Sequence, residues 1–303
     1  MTVSIDNRTT TLPQSWNELP LKDVLHCYSI IMQNTGSWLA AVELLPYKKL
    51  LLVKHLLKLS DAFMEQWEHD CLEEYEEEGK LVFLAELDEI LKATDFLFEP
   101  QTEDNNTVSI ALTFIRIPYS YLEGQKWTRG KKRRFYGPKN ELSNLTIFEL
   151  GYTFQLFEQF LQTQDEDLAN RLIATLYRPQ KPRTKANERA GYHNDIRQPL
   201  YRLEHLVEKR LKLVATLPQL TRQLILFWFA SCRQQIINKY PNIFEPENTA
   251  TERVGNDYGW GGLILSLADG IVNLDQVSER PYQDAFVYLS YLEDQRKRWV
   301  AQT

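Results

Sequence analysis

Side chains that could hold a metal ion are few and poorly spaced in this sequence. His55, His69 and Cys71 form the nearest grouping of ligating side chains. A zinc site on a helix needs two ligands about one turn apart, whereas residues 69 and 71 point to different faces of a helix. The spacing argues against a metal site, and we expect neither a metal nor a cofactor.

The carboxylates are concentrated in one short run. Residues 65–78 contain eight Asp and Glu side chains and no Lys or Arg. This density would suit acid-base or cation chemistry, but the run lacks the alternating ligands and the glycine of a calcium-binding loop. We interpret it as a solvated helix face or an electrostatic contact surface.

Nucleophilic and nucleotide chemistry leave no signature in the sequence. No serine lies in a GxSxG motif, no cysteine has a catalytic signature near a histidine, and neither GxGxxG nor GxxxxGK[ST] occurs. His193 and His205 lie around a basic stretch, where we expect structural or solvated roles. The sequence therefore predicts a protein that is not an enzyme, and no catalytic residue is assigned.

The densest positive charge suggests binding instead. Residues 126–139 include no acid, and Trp127, Phe135 and Tyr136 lie among their cations. These cations are Lys126, Arg129, Lys131, Lys132, Arg133, Arg134 and Lys139. Three interpretations stay open: cations that pair with phosphates while rings stack on bases, an acidic protein partner, or a solvated hairpin tip.

Composition limits the class of protein. The chain has 303 residues, of which 43% are hydrophobic and 25% charged, as in ordinary globular proteins. Its net charge of -6 argues against bulk coating of nucleic acid. Cys27, Cys71 and Cys232 are far apart and odd in number, which predicts reduced, buried thiols. The polar start, and the lack of an apolar stretch of ~20 residues, predict a cytoplasmic protein without membrane insertion.

Hydrophobic periodicity predicts helices along most of the chain. Before residue 100, apolar positions recur at helical spacing from Pro20 onward and over residues 47–59, 61–78 and 81–98. Asn144 or Thr146 would cap a helix that runs to about residue 162. Further helices are predicted over residues 165–177, 199–215, 218–239, 259–269 and 281–300. The predicted fold class is therefore mainly α, a multi-helix, bundle-like architecture.

One region departs from the helical period. Residues 107–117 (TVSIALTFIRI) are β-branched and aromatic and alternate in character, which predicts the best strand of the chain. Residues 133–138 (RRFYGP) would supply a return strand and a turn. We therefore predict a small β-hairpin-like insertion at about residues 107–137, with the positive charge on its connection.

Residues 178–197 predict an exposed loop and a candidate domain boundary, because they are polar, contain proline and hold six basic against two acidic side chains. The chain then divides into an N-terminal helical region (1–100), a basic hairpin insertion (101–140), a central helical pair (141–180), a basic loop (181–198) and a C-terminal helical region (199–303). These regions can also form one continuous domain.

Two stretches resemble known proteins. Residues 136–146 (YGPKNELSNLT), followed by a helix and by residues 176–179 (LYRP), resemble proteins encoded beside tail genes in prophages and phage-tail-like contractile injection systems. Residues 258–268 (YGWGGLILSLA) are similar to the ends of tail assembly chaperone-like proteins, together with Phe244, Asp275, Val277, Pro281 and a closing amphipathic helix. The resemblance spans roughly residues 130–300.

This resemblance implies a non-enzymatic role in building a tail or tail-like particle. The protein would hold tail proteins during assembly or remain as a component of the particle. Expected partners are therefore tail proteins, with a homo-oligomer allowed and nucleic acid as the alternative. The candidate partner-binding residues are Lys126, Trp127, Arg129, Lys131, Lys132, Arg133, Arg134, Tyr136 and Trp260, and Trp16 and Trp38 are further aromatic candidates.

Overall fold

Contacts in the computed structural model divide the chain into two compact units, Met1–Phe114 and Ile115–Thr303. The structure describes residues 2–5, 8–33, 39–41, 45–62, 64, 91–99, 107–126, 132–189, 194–200, 204–244, 259–268 and 273–300. Helices account for most of these residues, and the strands are short. This confirms the predicted mainly α fold class with a small hairpin-like insertion.

The helices are α1 (Leu21–Met32), α2 (Leu45–Leu57), α3 (Ile147–Thr163), α4 (Glu166–Leu176), α5 (Lys185–Arg189), α6 (Glu204–Ala215), α7 (Gln219–Lys239), α8 (Pro241–Phe244), α9 (Gly259–Leu267), α10 (Leu274–Ser278) and α11 (Tyr282–Val300). Short 3-10 helices cover Asp95–Leu97 and Asn140–Leu142. The strands are β1 (Thr2–Ile5), β2 (Arg8–Thr11), β3 (Leu39–Ala41), β4 (Thr107–Ser109), β5 (Tyr121–Lys126), β6 (Lys132–Tyr136) and β7 (Arg178–Pro179). All strand pairs are antiparallel: β1 with β2, β3 with β4, and β6 between β5 and β7.

In the first unit, α1 packs against α2. Pro20 precedes α1, a position where its missing N–H removes no helical hydrogen bond. Trp16 is 0% exposed, and its ring centroid lies 6.4 Å from that of Phe114. Trp16 therefore belongs to the core of the first unit, and the prediction that it contacts a partner is wrong.

The strand predicted over residues 107–117 is much shorter in the structure. Only Thr107–Ser109 forms β4, which pairs with β3, and Ile110 makes an isolated bridge to Phe98. Beyond it, backbone N–H groups bond to other segments, such as that of Leu112 to Glu99 Oε1 at 3.0 Å. The alternation reflects the burial of Ile110 and Phe114, which are 1% and 0% exposed, rather than a continuous ladder.

In the second unit, α3 begins at the cap that the sequence suggested. The hydroxyl of Thr146 accepts a hydrogen bond from the backbone N–H of Glu149 at 3.2 Å. Helix α7 supplies much of the core, since Phe227, Trp228 and Phe229 are each 0% exposed. Trp228 also donates its indole N–H to the carbonyl of Ile115 at 3.0 Å.

Gly137 marks the turn after β6, and its lack of a side chain is required there. A Cβ at this position would lie 2.6 Å from Ile117 Cδ1 and 2.8 Å from Tyr177 Cε1. The hydroxyl of Tyr177 donates to the carbonyl of Tyr119 at 2.9 Å, which holds its ring in place. The turn and the end of α4 are therefore packed directly against each other.

The predicted exposed loop at residues 178–197 is wrong at both of its ends. Arg178 and Arg197 are each only 1% exposed. Arg178 lies in β7, and residue 180 forms a bridge to Arg197. Of the described residues between these ends, those around helix α5 are largely exposed, and the whole segment lies inside the second unit.

Candidate interaction surface

The basic stretch of the sequence forms part of a β-hairpin. Strand β5 pairs with β6, with Glu123 opposite Arg134 and Lys126 opposite Lys132. The first strand of the hairpin is therefore Tyr121–Lys126, and not the predicted 107–117. Residues 132–134 lie in the second strand of the hairpin, and not on its connection as predicted. The structure does not describe Trp127, Arg129 and Lys131, nor the other aromatic candidate Trp38.

Alternation along the strands gives the hairpin two unlike faces. Leu122 and Phe135 form a buried pair, 5% and 9% exposed. On the other face the guanidinium of Arg134 lies 4.5 Å from the ring centroid of Tyr121, and the Tyr121 and Tyr136 rings are 6.1 Å apart. Arg134 and Glu123 are exposed. We call Tyr121, Glu123, Arg134 and Tyr136 the hairpin face.

The hairpin face combines one cation, one carboxylate and aromatic contact area. A guanidinium stacked on a ring keeps its N–H donors available for a carboxylate or a phosphate. Tyrosine rings add apolar area with few rotatable bonds. The arrangement can therefore bind an acidic group of a partner.

Behind the hairpin lies a group of buried charges. Strand β7 pairs with β6 so that Arg178 lies opposite Tyr136. Arg178 Nη1 donates to Glu149 Oε1 at 2.6 Å, and Arg197 Nη2 donates to Asp195 Oδ2 at 2.8 Å and to Glu149 Oε2 at 3.4 Å. We call Glu149, Arg178, Asp195 and Arg197 the buried charge cluster.

The cluster is electrostatically balanced, with two carboxylates against two guanidinium groups. Burial raises the pKa of Asp195, but the charges and hydrogen bonds of Arg197, with the charge of Arg178, outweigh it and hold that pKa below its ordinary value. Burial also lowers the pKa of the neighbouring Lys181. Glu149 belongs to α3, Arg178 to β7 and the other two residues to the segment before α6, so the cluster ties three segments together.

Sequence reasoning did not find this cluster. In the sequence, Arg178 lies 29 residues after Glu149, and Arg197 lies 48 residues after it. No local pattern connects such positions, and the basic composition of residues 178–197 suggested exposure instead. The sequence feature nearest to the cluster is Arg178-Pro179, directly after the cap of α4. It indicates only that the helix stops there.

Trp260, a predicted contact residue, is half-buried in an aromatic cluster of the second unit. Its ring lies edge-on to Phe154 at 5.5 Å and stacks with Phe286 at 6.2 Å. Gly151 makes room for it, since a Cβ there would lie 2.9 Å from Trp260 Cδ2. The indole is thus mainly a packing element, and its role toward a partner stays a prediction.

The first unit contains a separate cleft of about 1150 Å³ between α1 and α2. In it, His55 Nε2 lies 3.2 Å from Asp23 Oδ1, and the His26 and His55 rings stack at 3.9 Å. Burial, then the charges of His26 and Lys22, lower the pKa of His55, although Asp23 acts in the opposite direction. A carboxylate paired with an imidazole can exchange a proton with a ligand, but sequence spacing gave no hint of this pair.

Side-chain groups that could hold a metal ion are absent from the part of the chain that the structure describes. There, no group of three or more His, Cys, Asp or Glu side chains is placed to hold a metal ion. His69, Cys71 and the acidic run lie outside it, as does His193. Among the same described residues, no helix is both long and apolar enough to cross a membrane. Cys27 and Cys232 are buried, and burial raises the pKa of the Cys27 thiol to about 12.

Comparison with protein-family models, with curated proteins and with solved structures gives no match to this chain. The resemblance to tail assembly chaperone-like proteins therefore rests on its motifs. Within the second unit, Gly137 of the first stretch lies against Tyr177, and Trp260 of the second stretch packs on α3. Gly137, Tyr177 and Trp260 therefore have structural roles of their own, as a turn, a helix end and a packing contact.

Proposed function

We propose that the chain is a non-catalytic, protein-binding assembly factor or a minor structural component of a phage tail or a phage-tail-like contractile injection particle. It would act in the cytoplasm or stay in the finished particle. The hairpin face would bind an acidic surface of a tail protein, with Arg134 as the central contact.

The observation that carries this proposal is the attachment of the hairpin to the buried charge cluster. Strand β6 is held on one side by β5 and on the other by β7, whose Arg178 is fixed by Glu149. A surface that is already ordered loses little conformational entropy when a partner binds. A face that sets the Arg134 guanidinium and two tyrosine rings on paired strands suits recognition of a protein surface better than turnover of a small substrate.

Co-purification tests the partner. The chain, expressed in its native host and captured at low salt, should retain tail tube, tape-measure-like or cap proteins. Arg134→Glu should lower the affinity for such a partner at least about tenfold, because Arg is a frequent hot-spot residue. Lys212→Glu is the matched control, since it reverses an exposed cation on α6, outside the hairpin.

Two results would count against the proposal. One is the failure of any tail protein to co-purify with the wild-type chain. The other is equal binding by Arg134→Glu and wild type, which would remove the hairpin face as the contact even if a partner is found.

The alternative is nucleic-acid binding through the same hairpin. The specific support is the combination of Arg134 with the rings of Tyr121 and Tyr136, which can pair a phosphate and stack a base. Binding would then weaken steeply with salt, as counterion release requires. Reversing Lys131, Lys132, Arg133 and Arg134 together should abolish a salt-sensitive gel shift, and unchanged binding would exclude this function.

A further inference from the structure

Helix α11 (Tyr282–Val300) has two apolar faces. One packs within the second unit, where Phe286 is 0% exposed and its ring centroid lies 5.1 Å from that of Tyr240 and 5.6 Å from that of Phe244. The opposite face carries large apolar side chains that are 43% to 73% exposed, namely Val287, Tyr288, Tyr291, Leu292 and Trp299. We call these five residues the aromatic stripe. A helix packed on one side of a domain normally has a polar outer face, so the stripe indicates a second contact.

The start of the helix is held firmly, so the stripe has a fixed direction. The backbone N–H of Ile147 donates to the carbonyl of Arg280 at 2.9 Å, and that of Tyr282 donates to the carbonyl of Leu145 at 3.2 Å. Gln283 Nε2 also donates to the carbonyl of Ser143 at 2.9 Å. These bonds attach the beginning of α11 to the beginning of α3.

The centre of the stripe lies on a line of positions that fits another helix. Positions 284, 288, 291, 295 and 298 follow at intervals that alternate between four and three residues; Tyr288 and Tyr291 of the stripe lie near the middle of this line, and the polar side chains Asp284, Gln295 and Arg298 occupy its other positions. This spacing keeps one line of side chains against a partner helix along its whole length. The remaining stripe residues, Val287, Leu292 and Trp299, flank that line.

The charges at the two ends of this line select the orientation of the partner. Asp284 lies seven residues before Tyr291, and Arg298 lies seven residues after it. Both side chains are exposed, and within the described part of the chain neither has an ion-pair partner. Two copies of α11 that pair antiparallel around Tyr291 place each Asp284 opposite Arg298 of the other copy. A parallel pair would place like charges together.

The exposed apolar area of the aromatic stripe is large enough for a specific contact between two proteins. Rings of this kind bury about 150–250 Å² each, so three that are about half to three-quarters exposed contribute roughly 400 Å². Val287 and Leu292 raise the stripe to roughly 500 Å² per copy, against roughly 800 Å² per partner in a standard interface. The stripe therefore supplies more than half of such an interface before its polar rim is counted.

We propose that the aromatic stripe of α11 is a homodimerisation surface, on which a second copy of this chain docks antiparallel about a two-fold axis at Tyr291. In a two-fold interface the same patch is used by both copies, so each contact occurs twice. The interface includes no residue of the hairpin face. It is therefore independent of the proposed function, and either can fail without the other.

Sedimentation equilibrium of the full chain over a concentration series tests the dimer. The wild-type mass should rise from 35.7 kDa toward twice that value as concentration increases. Tyr291→Glu should raise the dimer Kd by about a hundredfold, because it places two carboxylates together at the axis. Tyr47→Glu is the control: Tyr47 is 61% exposed on α2, and its substitution should leave the Kd unchanged.

Charge exchange tests the antiparallel arrangement. Asp284→Arg and Arg298→Asp should each raise the dimer Kd about tenfold, since each makes two attractive contacts repulsive. The double variant D284R/R298D should return to within about threefold of wild type. A double variant no tighter than the single ones overturns the antiparallel register. A wild-type chain that stays at 35.7 kDa, or a Tyr291→Glu dimer as tight as wild type, overturns the proposal.

Discussion

Glu149 should be the acidic residue on α3 whose loss most destabilises the second unit. It is 6% exposed and accepts hydrogen bonds from two arginines that are each 1% exposed. Removing one partner from a buried ion pair typically costs about 3–5 kcal/mol, because the opposite charge stays buried without compensation. Glu149→Gln keeps the shape and one acceptor oxygen, so we expect it to lower the free energy of unfolding of the second unit by about 3 kcal/mol.

Glu158 provides the matched control on the same helix. Its carboxylate accepts from Arg233 Nη2 at 2.8 Å, a geometry close to that of Glu149 with Arg178, but its side chain is 49% exposed. Exposed pairs contribute only about 0–1 kcal/mol. Glu158→Gln should therefore change stability by less than about 1 kcal/mol.

Hydrogen exchange followed by mass spectrometry is the suitable assay, because two units need not unfold together. A loss of about 3 kcal/mol corresponds to roughly hundredfold faster exchange of protected amides in α3 and α4. Peptides from α1, in the first unit, serve as an internal reference and should exchange at unchanged rates. If Glu149→Gln and Glu158→Gln accelerate amide exchange in α3 and α4 equally, burial does not determine how much the ion pairs of this cluster contribute to stability.

Three further predictions follow from the packing and the shifted pKa values. Gly151→Ala should destabilise the second unit by about 1–2 kcal/mol, because the new Cβ overlaps Trp260, and this outweighs the higher helix propensity of alanine. The readout is faster amide exchange in α3. A stabilised variant would show that the indole moves freely. Since its folded pKa is lowered, His55 should destabilise the first unit as the pH falls below about 6.5, and His55→Gln should flatten the pH dependence of α1 amide exchange. Asp195, whose folded pKa is also lowered, stabilises the second unit above its unfolded pKa of about 3.9 and loses that contribution as the pH falls through its folded value; an acid titration by circular dichroism, in which Asp195→Asn should lose stability less steeply than wild type over that range, checks this.

Local regularities of the sequence determined the helical framework. The apolar period placed the helices that became α3, α4, α7 and α11 to within a few residues, because the side chains of one helix face repeat every 3.6 residues wherever the helix packs. Thr146 was one of two suggested caps, since a cap needs only its own hydroxyl and an N–H three residues later. The mainly α fold class follows from these local signals alone.

Contacts between distant residues decided what the local pattern left open. Alternation over residues 107–117 indicated a strand, but the hairpin partner of β6 is Tyr121–Lys126, because pairing depends on which segments the fold brings together. The cationic composition around Arg178 and Arg197 indicated exposure, yet Glu149 and Asp195 together neutralise both in the interior.

The surfaces that could bind partners divide in the same way. The sequence by itself identified the basic and aromatic content of residues 126–136, because composition is local. It did not distinguish the packed face of α11 from its exposed one, since both carry aromatic side chains at helical spacing. Only the tertiary structure, by covering Phe286 and leaving Tyr291 57% exposed, decided which ring belongs to the core and which is available to a partner.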